Sequence, residues 1–122
     1  MSHILVIDDE EKVGALLCRY LERAEHTTAV ARDGKEGVRL YLENPADLVI
    51  VDIFMPDMDG LEVIRRLKKA TPECRVIAIS GGRQMGMPDF LPTARKLGAR
   101  HVLKKPIRGE ELLAIVGDML AN

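Results

Sequence analysis

Three short stretches of this chain, Ile4-Leu5-Val6-Ile7, Leu48-Val49-Ile50-Val51 and Val76-Ile77-Ala78-Ile79, are aliphatic without a break. A strand with one face in water alternates apolar and polar side chains, whereas a strand covered on both faces has no need to. The spacing predicts strands over residues 3–8, 28–31, 47–52, 75–80 and 100–104. The segments between them carry helical periodicity. Val13, Leu17, Tyr20, Leu21 and Ala24 share one face of a first helix, and Leu61, Ile64 and Leu67 share one face of a third. Leu112, Ile115, Val116, Met119 and Leu120 do the same for a last helix. Asp33-x-x-Glu36 and Asp59-x-x-Glu62 have capping-box spacing, and Thr71-Pro72 closes the third helix. Residues 81–88, rich in Gly and Met, predict a mobile loop, followed by a shortened fourth helix over residues 89–97. Five β-α units result, which make an α/β fold: a doubly wound, five-stranded parallel sheet with helices on both faces.

Composition narrows the class. The 122 residues suit a single domain, 1–122, with a real core, and nearly half of them are apolar. Trp is absent and the aromatic residues are only Phe54, Phe90, Tyr20 and Tyr41, so the core must be aliphatic. No apolar stretch approaches a membrane span, and the N-terminus lacks the basic-then-apolar layout of a signal peptide, so a cytoplasmic chain is expected. Cys18 and Cys74 fit no metal spacing and are read as reduced, semi-buried thiols. Charge is unevenly placed: residues 1–62 carry 14 acidic and 6 basic side chains, residues 63–122 carry 5 and 12. The cations between Gly81 and Arg108 have little aromatic interleaving and no nucleic-acid motif, which favours a solvated face or a surface for an acidic protein partner.

The polar residues at the strand ends carry the chemistry. Ligand crevices in doubly wound sheets lie outside the carboxyl ends of the strands, where strand order reverses. Asp8 and Asp9 follow the first strand, Asp52 ends the third, Ser80 ends the fourth, and Lys105 follows the fifth, just before Pro106. Clustered carboxylates repel one another and raise one another's pKa unless a cation is present. Oxygen ligands in a partly open site suit Mg²⁺. A divalent ion and Lys105 would neutralise a phosphoryl group, and an Asp nucleophile would accept it as an acyl phosphate. Asp57 and Asp59 fall in a loop and helix start, where exposure and capping explain them. Strand alternation points Lys104 and Lys105 apart, so only one of the two faces the crevice.

At these residues the chain resembles the receiver domains of two-component response regulators. The matching pieces are Ile7-Asp8-Asp9-Glu10, the segment from Val51-Asp52-Ile53-Phe54-Met55-Pro56 to Asp57-Met58-Asp59-Gly60, Ser80-Gly81, Gly98-Ala99 and Lys105-Pro106. The resemblance runs from Ile4 to Leu120. It implies a flavodoxin-like (βα)5 fold with strand order 2-1-3-4-5. It implies that Asp52 is the phosphoacceptor of a two-component or phosphorelay system, charged by a sensor histidine kinase or a histidine phosphotransfer protein. Asp9, Asp52 and the main-chain carbonyl of Phe54 would hold Mg²⁺, with Asp8 acting through a metal-bound water. Lys105 would pair with Asp52 at rest and with the phosphoryl group afterwards, the Lys105–Pro106 bond would be cis, and Ser80 would move toward the phosphate. Such a domain is a signalling switch rather than an enzyme, promoting only its own phosphorylation and dephosphorylation. Its output would be a downstream protein target or a further domain, with no direct nucleic-acid or membrane contact.

The chain departs from the family pattern in three places. Val102 stands where a switching aromatic residue is usual, with His101 beside it, so a loop shift led by Ser80 would carry more of the coupling. The stretch from Ser80 to Gly98 is longer than is typical, and Met85 and Met87 suit either an adaptable partner surface or disordered loop filler. Phe54 and Gly82 flank the path of a hydrolytic water. Two rival classes fit the residues less well. An aspartyl phosphatase needs a second acid two residues past its nucleophile, where this chain has Phe54. A degenerate receiver would have lost the acid pair, Asp52 or Lys105, and all are present.

Overall fold

The computed structural model describes residues 2–81 and 91–121. Strands and helices alternate: β1 (His3–Ile7), α1 (Glu11–Arg23), β2 (Thr27–Ala31), α2 (Gly34–Glu43), β3 (Leu48–Asp52), α3 (Gly60–Ala70), β4 (Val76–Ser80), α4 (Leu91–Leu97), β5 (His101–Lys104) and α5 (Gly109–Ala121). All four strand pairings are parallel, and the order is β2-β1-β3-β4-β5.

Alternation of side chains across the sheet splits the aliphatic runs into two cores. Leu5, Ile7, Val49, Val51, Val76 and Ala78 face one layer, which includes Val63, Ile64 and Leu67 of α3 and Tyr41 of α2. Ile4, Val6, Leu48, Ile50, Ile77 and Ile79 face the other, closed by Leu17 and Leu21 of α1 and by Leu112, Val116 and Met119 of α5. That two-sided burial is why the aliphatic runs of these strands are broken by no polar residue before the strand ends. Each fully buried Ile or Leu contributes about 1.5–3 kcal/mol.

Helix ends follow the local sequence. Asp33 and Asp59 accept hydrogen bonds from the N–H groups of Glu36 and Glu62, capping α2 and α3. α3 stops at Thr71, one residue before Pro72. Each strand differs from the sequence-based expectation by one residue at one of its ends. β1 stops at Ile7 because Asp8 already turns its side chain toward the next helix, and β2 begins at Thr27, which pairs with His3. The expected start of the fourth helix at residue 89 and the expected loop beyond Gly81, with Gly82, Met85 and Met87, lie outside the described residues. No helix among the described residues is long and apolar enough to cross a membrane.

Because β1 lies between β2 and β3, chain direction around the sheet reverses there. The crevice this leaves opens at the carboxyl ends of β1 and β3.

Candidate functional site

Three chain segments deliver side chains to that crevice. At the end of β1, Asp8 donates its N–H to the Ala31 carbonyl (3.0 Å), and its Oδ1 accepts from the Glu10 N–H (2.8 Å). This local turn fixes the carboxylate and starts α1. At the end of β3, Asp52 Oδ1 accepts from the Phe54 N–H (3.2 Å). From the far side, Lys105 is tied to β4 by its N–H bond to the Ser80 carbonyl (2.9 Å), and its bond to Pro106 is cis, as the resemblance implies.

The three chain segments meet at one atom. Lys105 Nζ lies 2.6 Å from Glu10 Oε1, 3.2 Å from Asp52 Oδ2 and 3.2 Å from Asp8 Oδ2. Two glycines make this approach possible. A Cβ on Gly81 would sit 2.6 Å from Lys105 Cδ, so the lysine stem lies directly over that residue. A Cβ on Gly60 would run into the Asp52 carbonyl oxygen, so α3 can start against β3 only with glycine there.

Burial sets the electrostatics. Asp8 and Asp52 are 1% and 2% exposed, the only charged residues in the core among those described. Burial, then the neighbouring Asp8 charge, pushes the Asp52 carboxyl up to about 6 from its ordinary 3.8, against the pull of Lys105. Asp8 is raised too, chiefly by burial, with the Glu10 N–H and Lys105 opposing. Burial alone would lower Lys105; the bond to Glu10 and the charges of Asp52 and Asp8 outweigh it and leave the ammonium firmly protonated.

Asp8, Asp52 and Lys105, singled out from the sequence, come together. Ser80 contributes its carbonyl to the position of Lys105, while its half-buried side chain makes no hydrogen bond to the acid–lysine cluster. Asp9 is exposed and stands outside the carboxylate cluster. Asp57 and Asp59 are exposed, and Asp57 adopts a positive φ of 68° in the loop. Lys104 is exposed on the strand edge, as alternation requires. Val102 packs half-buried against the core layer of α2 and α3. Sequence reasoning gave no role to Glu10. The acidic run Asp8-Asp9-Glu10-Glu11 was visible, but nothing in it distinguishes the member that reaches a lysine 95 residues away.

The donor set fits a hard divalent cation. One carboxylate oxygen each from Asp8, Glu10 and Asp52 lies within 4.8 Å of the others. Asp8 Oδ2 is buried and, although ion-paired to Lys105, has no hydrogen-bond partner. A buried carboxylate oxygen whose charge is met only by a shared ammonium is costly, and oxygen-only ligands on an open-sided cluster match the preferences of Mg²⁺.

Comparison with known proteins agrees with this geometry. The pattern that defines the response regulator receiver domain matches residues 4–117. The transcriptional regulatory protein YkoG of Bacillus subtilis, itself uncharacterized, is 36% identical over 93% of this chain and 48% of its own length. CusR of Escherichia coli, a transcriptional regulatory protein, is 31% identical over 96% of this chain and 50% of its own. The chain thus spans about half the length of the curated relatives it matches. A receiver domain protein from Clostridium thermocellum superposes with a TM-score of 0.90 at 32% identity, covering 99% of this chain and 95% of the other. The receiver domain of NtrX from Brucella abortus superposes at 0.89 with 29% identity, covering 98% of both chains.

Proposed function

This chain belongs to the response regulator receiver domain family, and on that premise we propose that Asp52 is its phosphoacceptor, charged from a phosphohistidine on a sensor kinase or phosphotransfer protein. One observation carries the reading: Asp52 is buried at the switch point of the sheet, with Lys105 Nζ 3.2 Å from its Oδ2. The transfer breaks the P–N bond of the phosphohistidine and forms a P–O bond on the Asp52 carboxylate. The electron pair of the broken bond returns to the imidazole.

Lys105 lies where it can neutralise oxygens of the incoming phosphoryl group, and its raised pKa keeps it charged for that task. The Phe54 N–H orients the Asp52 carboxylate from behind. From the resemblance we assign Asp9, Asp52 and the main-chain carbonyl of Phe54 as direct Mg²⁺ ligands, with Asp8 acting through a bound water; the oxygens that cluster without the ion are those of Asp8, Glu10 and Asp52, and Glu10 is already taken up by Lys105. When bound, the ion offsets the repulsion of the acids and takes up negative charge on the transferring group. Asp8→Asn and Asp9→Asn, each titrated with Mg²⁺, separate the two acids: the direct ligand loses the greater affinity. Ser80 donates to a phosphoryl oxygen once the group is in place. In this reading residues 1–122 form one receiver, a cytoplasmic switch whose altered surface engages a downstream protein or an output domain.

Incubation with acetyl phosphate and Mg²⁺, followed by intact-mass measurement, tests the proposal. One phosphoryl group is expected on the wild type and none on Asp52→Asn. Multiple turnover of a small phosphate ester would instead indicate a phosphatase.

A further inference from the structure

Glu10 sits at the N-cap of α1 with extended backbone (φ −88°, ψ 107°), yet its side chain makes no capping bond. N-caps favour Ser, Thr, Asp and Asn because a short side chain turns back onto its own helix. Glu10 sends its carboxylate the other way, to Lys105, and at 2.6 Å makes the closest of the ammonium's three contacts. The helix start therefore forgoes a cap while the lysine gains a third partner.

The three partners differ in mobility. Asp8 and Asp52 are held by strand ends and by bonds from the Glu10 and Phe54 N–H groups. The Glu10 side chain is 59% exposed, so it alone can swing into solvent. A lysine ammonium has three N–H donors, and three carboxylates surround this one. A phosphoryl group on Asp52 requires at least one of those donors, and it also brings negative charge beside Glu10.

We propose that Glu10 is a positioning residue, a releasable latch that holds Lys105 Nζ over Asp8 and Asp52 at rest and yields it to the phosphoryl group. This rests on Asp52 being the phosphoacceptor. Release of the latch accompanies the transfer, in which the P–O bond to acetate breaks, the bond to Asp52 forms, and acetate leaves with the electron pair. The latch therefore slows charging and weakens binding of any phosphoryl mimic.

Two variants separate reach from charge. Glu10→Gln removes the charge. Glu10→Asp keeps it but is one methylene too short to hold the lysine, and Asp caps helices well, so folding is protected. The measurements are the acetyl phosphate charging rate, the midpoint of a beryllofluoride titration followed by amide NMR, and Mg²⁺ affinity by calorimetry. Both variants are expected to charge about three- to tenfold faster and to bind beryllofluoride tighter by a similar factor, the range of an ion pair with one sheltered partner. Mg²⁺ affinity should change far less. Equal rates and midpoints in all three proteins would overturn the latch. So would acceleration in Glu10→Gln alone, which would show simple repulsion of the donor. Slower charging with Mg²⁺ affinity lost in both variants would also overturn it, making Glu10 a metal ligand. A wild type that takes no phosphoryl group on Asp52 would remove the underlying reading instead.

Discussion

The Asp52 carboxyl is held in the charged form at a cost to the fold. Its pKa is pushed up to about 6 from 3.8, so the folded chain binds this proton more tightly than the unfolded chain does. Stability from this group is complete below about pH 4 and is lost as pH rises through about 6. Asp52→Asn should therefore raise stability in divalent-free buffer at pH 7–8 by on the order of 1–3 kcal/mol. Urea melts should show the gap closing toward pH 4; a gap independent of pH would contradict this origin. Lys105→Ala should act in the opposite direction at neutral pH, because it leaves Asp8 and Asp52 buried together without their counter-charge. Added Mg²⁺ should restore much of that loss, and a thermal melt with and without the ion checks it. Asp8 and Asp52 were legible in the sequence because each stands at the end of an aliphatic run, and Lys105 because it follows the last strand directly before Pro106. Glu10 was not, since its partner is fixed by the packing of β5 beside β4 rather than by any local spacing.

At the scale of elements, the site depends on how closely α3 starts against β3. The Gly60 N–H donates to the Ile53 carbonyl (2.8 Å), and no room remains for a side chain. Gly60→Ala should destabilise the domain by about 1–3 kcal/mol, the usual cost of forced overpacking. It should also slow charging of Asp52 by shifting the backbone that carries it. Unchanged melting and charging would show that α3 adjusts freely. The central strands were easy to read because burial on both faces leaves an unbroken aliphatic signature. β2, at the sheet edge with Val30 41% exposed, and the four-residue β5 carry weaker patterns. The Gly60 contact was not legible as such: the glycine was visible, but the neighbour that forbids a Cβ is set by tertiary packing.

The whole molecule is a sheet shared by two cores, and its two tyrosines report on them separately. Tyr41 is buried in the layer of α2 and α3, and Tyr20 packs against the layer of α1 and α5. If residues 1–122 fold as one unit, Tyr20→Phe and Tyr41→Phe proteins should show, by the remaining tyrosine, urea transitions that coincide with far-UV dichroism. Separate midpoints would mean that the layers unfold independently. The acidic N-terminal half and the more basic C-terminal half meet at Lys105, where both supply the crevice. Chemical trapping of the charged state interrogates that crevice most directly. Borohydride reduces an aspartyl phosphate to homoserine, so treatment after charging with acetyl phosphate and Mg²⁺ marks the acceptor. Peptide sequencing by mass spectrometry should find homoserine at position 52, and in no other acid of the crevice or its loops. Homoserine at position 9, 57 or 59 instead, with Asp52 intact, would contradict the assignment.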